Sequence, residues 1–92
     1  MAKATATRKR NRQQIKRIIS DALRHEFPHD TVDVSDGYKE NIHVVVVSRA
    51  FDQMGEREKQ QVLWRMIDRT PLTEEEKQLI SLVYPVSIRE LK

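Results

Sequence analysis

The ten residues Arg8 to Arg17, RKRNRQQIKR, contain six cations and no acid: Arg8, Lys9, Arg10, Arg12, Lys16 and Arg17. The chemistry open to such a run is phosphate binding, on nucleic acid or on a membrane surface. If Thr7 capped a helix through the run, Arg8, Arg12 and Lys16 would align at i, i+4 spacing. If six such charges met phosphates, log K would fall with log salt at a slope of about −5. The plain alternative is a solvated basic terminus. We expect nucleic acid as the leading partner of these six residues.

Other chemistry-bearing residues are sparse. His25 and His29 stand four apart, a spacing that binds metal on a helix, but Pro28 lies between them and no third ligand is near. No metal site is expected. His43 has no serine or cysteine constellation to serve. The pairs Asp33/Asp36 and Glu56/Glu58 fall beside turns and helix starts, where acids are favoured anyway. With no cysteine in the chain, thiolate chemistry, disulfides and cysteine-ligated zinc are excluded. No catalytic residue and no cofactor is expected, and the protein is read as a non-enzyme.

The chain that must position these residues has 92 of them, 34% charged and 5% aromatic. That is enough for one domain with a modest aliphatic core. Residues 1–17 hold seven of the 17 basic side chains and no acid. The remaining ten cations and all 14 acids lie in 18–92, leaving that body four charges negative. The longest unbroken aliphatic run is Val44–Val47, far short of a membrane span. The basic N-terminus is not followed by an apolar stretch, so no signal peptide is expected. A soluble cytoplasmic protein follows as the expectation.

Residues 1–10 read as a basic, disordered arm, and 11–92 as a single domain. Ile15, Ile18, Ile19, Ala22 and Leu23 trace one helical face. Asn11 with Gln14 suggests a capping box at its start, and Pro28 ends it. TVDVS alternates as a half-buried strand. Asp36-Gly37 suggests a tight turn into a second strand, IHVVVVS. A strand apolar on both faces belongs in the middle of its sheet. Val62, Leu63, Met66 and Ile67 give a second helix. Thr73 with Glu76 caps a third, expected to run through Leu79, Ile80, Leu82 and Val83 to Tyr84, stopped by Pro85. PVSIREL alternates as a last strand, parallel to the second after the helical crossover. The expected fold is α+β, in the order αββααβ, with a three-stranded mixed sheet and helices packed on one face.

That order, with VVVVSRAF (Ser48, two residues, Phe51), VLW (Val62–Trp64) and VYPVSIRE, resembles the BolA family over roughly residues 13–91. Type II KH domains share the topology, but no Gly-x-x-Gly is present. The resemblance implies DNA-linked regulation in some members. It also implies pairing with monothiol glutaredoxins around a shared iron–sulfur cluster. The family's Arg-His pair falls here on Lys59 and Gln60, and the histidine heading its last strand on Tyr84. The loop SDGYKEN has no His or Cys, and Asn41 stands where a His can precede the strand. Cluster ligation needs thiolate or imidazole donors, so no cluster is expected.

The resulting functional expectation is a non-enzymatic regulatory module binding nucleic acid through the basic arm and first helix. The alternative is a protein-binding adaptor, with a glutaredoxin-like partner, or a homodimer. For that alternative the candidate contacts are Val45 and Val47 on the sheet face the helices leave bare, Trp64 off its helical stripe, and Tyr84.

Overall fold

The structure is a computed structural model that describes residues 10–91. Helix α1 spans Arg12–Glu26. Its capping box is formed: Asn11 Oδ1 accepts from the Gln14 N–H at 2.8 Å, and Gln14 Oε1 accepts from the Asn11 N–H at 2.9 Å. Two of the helix's orphan donors are thereby satisfied. Phe27, held before Pro28, ends it, its N–H reaching Leu23 O at 2.8 Å. Ile15, Ile19 and Leu23 form the buried face.

Strand β1 (Thr31–Asp36) pairs antiparallel with β2 (Ile42–Ser48), placing Val32 opposite Val46 and Val34 opposite Val44. Strand β3 (Ile80–Ser87) lies parallel to β2 on its other side, so the order is β1-β2-β3. The central strand is the valine-rich one, as its two apolar faces require. Ile42, Val44 and Val46 are fully buried and form one core with Ile15, Ile19 and Leu23 of α1. Helix α2 (Glu56–Asp68) adds Leu63 and Ile67 to the same core. Both long helices therefore lie on one sheet face. Each such side chain, fully buried, contributes about 1.5–3 kcal/mol.

The motif Ser-x-x-Phe has a local purpose. Ser48 Oγ accepts from the Ala50 N–H at 2.9 Å and caps a 3-10 turn, Arg49–Phe51. The turn sends Phe51 back under the sheet, where it is 1% exposed with its ring 5.6 Å from that of Phe27.

Three boundaries differ from expectation. Helix α3 (Glu74–Lys77) is a single turn, and Ile80–Tyr84 belong to β3 instead of continuing it. The cause is a bulge. Ile42 pairs with Ile80 but His43 pairs with Leu82, leaving Ser81 as an extra residue. Ile80 and Val83 then share the buried face three residues apart, which mimics helical spacing. Pro85 does not stop a helix; it sits inside β3, an edge strand that tolerates the missing donor. The strand ends at Ser87, and Ile88–Leu91 form a 3-10 turn where strand was expected.

The hairpin is also wider than a two-residue turn, since Asp36 pairs with Ile42. Its left-handed residue is Lys39, at φ 58°, and no described glycine has positive φ. Gly37 serves a different need. A Cβ there would come within 2.4 Å of His43 Nε2, so the imidazole packs against a position that has room only for hydrogen.

Candidate functional site

Of the six basic residues singled out, Arg8 and Lys9 lie outside the described residues. Arg10, Arg12 and Lys16 all meet carboxylates of the fold. Arg10 Nη1 lies 2.8 Å from Glu76 Oε1 and 3.5 Å from Pro71 O. The same Glu76 oxygen accepts the Thr73 N–H at 2.9 Å, so the α3 capping box doubles as the anchor for Arg10. Burial raises the Glu76 pKa, but the Thr73 N–H and the Arg10 guanidinium outweigh it and hold the carboxyl below its ordinary value.

One turn into the helix, Lys16 Nζ and Arg12 Nη1 converge on Asp36 Oδ1 at 3.0 and 3.6 Å. The hydrogen bond from Lys16 is the main reason the Asp36 carboxyl lies below its usual range; desolvation opposes it and Arg12 adds to it. Arg12 Nη2 also donates to Lys39 O at 3.4 Å. The i, i+4 stripe of Arg12 and Lys16 thus faces the hairpin. Arg17, one residue on, is exposed away from it.

These contacts bring the start of α1 and the hairpin tip together. The tip carries Tyr38, 75% exposed, with Lys39 Nζ 5.5 Å from its ring centroid. Four cations gather here, Arg10, Arg12, Lys16 and Lys39, against Asp36, Glu40 and Glu76. The sequence reading missed Tyr38 and Lys39. The available signal was an aromatic beside a cation in a turn between two strands; their nearness to the basic segment needed the hairpin packed on α1.

A second surface is the sheet face opposite the helices. Val45 and Val47 of β2 are half-buried there, and Tyr84 pairs with Val45. Leu82, paired with His43, joins them; Tyr84 is 53% and Leu82 41% exposed. Thr31, Asp33 and Ser35 form the polar flank on β1. Leu82 escaped notice because its segment read as helix. Trp64 does not belong to this surface. It is half-buried on α2 and packs against the helix-side core.

Helix α2 buries a lysine. Lys59 continues the Leu63, Ile67 row and is 2% exposed, its stem packed along the core while its ammonium reaches Glu56 Oε2 at 2.9 Å. Phe51, Ser87 and Arg89 line the shallow cavity beside it, about 340 Å³ in volume. Gln60 donates to Val83 O of the β3 edge at 2.7 Å. A groove of about 300 Å³ opens between α1 and the end of α2, lined by Ile18, Ala22, His25, Met66 and Thr70 among others.

Nothing in these arrangements makes a nucleophile beside a base. Ser48 Oγ is committed to its cap. Of the acidic pairs, Asp36 holds cations and Glu56 holds Lys59. Among the described residues no three His, Cys, Asp or Glu side chains gather where a metal ion could sit. No helix there is long and apolar enough to cross a membrane.

No family model, no curated protein and no solved structure matches the chain.

Proposed function

We propose that this chain is a non-enzymatic, BolA-like regulatory module that binds nucleic acid at the end of the domain where α1 begins. One observation carries the reading: the ion pairs of Arg12 and Lys16 with Asp36 fix the start of α1 beside the hairpin tip. Arg12 therefore stands next to Lys39, and the two cations share one surface. Asp36, the exposed carboxylate there, is screened by water, and phosphates can share its cations at little cost. Affinity built this way is non-specific and salt-dependent.

The test is fluorescence anisotropy of labelled oligonucleotides across a salt series, with the full chain and a form beginning at Asn11. The expected result is binding with a steep negative salt slope that becomes shallower in the shortened form. Absence of binding at low salt overturns the reading.

The exposed Leu82 and Tyr84 favour a second reading, a protein-binding adaptor or homodimer using the open sheet face. The BolA resemblance points to a monothiol glutaredoxin. A shared iron–sulfur cluster does not fit the residues at the matched positions. Lys59 offers a buried ammonium, Gln60 an amide already donating to Val83 O, and Tyr84 a phenol. Association with such a partner without new visible absorbance is the outcome this reading expects.

A further inference from the structure

We infer that the hairpin tip selects single-stranded nucleic acid: Tyr38 stacks an unpaired base while Lys39 and Arg12 hold the flanking phosphates. The inference rests on the nucleic-acid reading above and assigns it a substrate class.

The argument begins with the loop. An aromatic ring 75% exposed at a hairpin tip leaves most of its apolar surface in water. A flexible loop would let such a ring collapse or wander, but this one is braced. The Gly37 N–H donates to Asn41 O at 2.7 Å, and the Asn41 N–H to Tyr38 O at 3.1 Å. Lys39 is held in the left-handed region, where a residue with a Cβ is disfavoured, and Arg12 grips its carbonyl at 3.4 Å. Beneath, the His43 imidazole fills the space at Gly37. The ring is therefore presented on a pre-organised support, so little ordering is needed on binding.

Charge identifies the occupant. The ring stands beside the Lys39 ammonium, Arg12 holds the Lys39 carbonyl, and Arg12 and Lys16 meet at Asp36 of the same hairpin. Aromatic rings interleaved with cations are the means by which proteins hold single strands, the ring taking a base face and the cations the backbone. A duplex hides its base faces in the stack. A lone ring on a convex tip gains nothing from it without unstacking a step. The cations alone would bind both forms, so the ring is what separates them.

The experiment titrates the full chain, at low salt, with a labelled oligothymidylate and with a labelled duplex of equal length. It is repeated with Tyr38→Ala and Tyr38→Phe, both checked for folding by circular dichroism. The expected result is a loss of about 5- to 150-fold on the single strand for Tyr38→Ala, the range for removing one base stack. Duplex binding stays unchanged, and Tyr38→Phe retains wild-type affinity because stacking needs the ring and not the hydroxyl. If Tyr38→Ala binds the single strand as wild type does, or loses both forms equally, the inference is overturned while the nucleic-acid reading stands. If the wild-type chain binds neither probe, that reading falls and this one with it.

Discussion

Gly37→Ala offers a clean test of how the hairpin is built, because its sign should depend on one other residue. The new Cβ would lie 2.4, 2.6 and 2.9 Å from His43 Nε2, Cδ2 and Cε1. Ordinary carbon contacts start near 3.4 Å, so the ring must retreat by roughly 1 Å. Overpacking of this kind costs about 1–3 kcal/mol, toward the lower end here because His43 is half-buried and its ring can rotate. Against this, Gly→Ala restricts the unfolded chain and stabilises by about 0.4–1 kcal/mol where the backbone suits alanine. Gly37 has no positive φ, so its backbone does suit alanine. The net effect in the wild-type chain is a destabilisation of up to about 2 kcal/mol. In a His43→Ala background the obstruction is gone and only the unfolded-state gain remains, so the same substitution should stabilise. Urea denaturation of the four members of the cycle, followed by circular dichroism, measures the coupling directly. A coupling of about 1–3 kcal/mol with a change of sign is expected. A coupling below about 0.5 kcal/mol would show that His43 does not occupy this space and would refute the argument.

Two further outcomes follow from the packing and the charges. Phe51→Ala empties a fully buried position against Phe27 and should cost about 3–5 kcal/mol by denaturant unfolding; a loss near 1 kcal/mol would mean that the Ser48-capped turn does not seat this ring in the core. Because the Glu76 carboxyl is held below its ordinary value of 4.5, its contribution is present above that pH and is lost as pH falls through the folded value. Stability measured down to about pH 3 should therefore fall less steeply in Glu76→Gln than in wild type, and identical acid profiles would sever Glu76 ionisation from folding.

Local rules in the sequence determined a good deal. The Asn11/Gln14 and Thr73/Glu76 boxes stand where their side chains predict, because capping is decided within four residues. The two-faced valine run determined the central strand, because only a strand flanked on both sides can bury both rows. The α+β class and the parallel third strand follow from the same patterning. Where the chain departs from its pattern, a non-local partner decides. The bulge at Ser81 exists only in pairing with β2, and it turned strand residues into an apparent helix. Asp36-Gly37 suggested a tight turn, yet the hairpin is wider, Lys39 is its left-handed residue, and Gly37 yields its space to His43. The basic run was legible as charge, but nothing in its spacing revealed that Arg10 would meet Glu76, 66 residues away, or that Arg12 and Lys16 would share Asp36. Nor did it reveal that Arg12 would reach the carbonyl of Lys39, the residue beside Tyr38. Composition determined where along the chain the positive charge is concentrated; the tertiary structure decided which of those charges the fold pairs with its own carboxylates. Helix periodicity and capping act over a few residues, whereas a surface is assembled from segments that meet only once the core has closed.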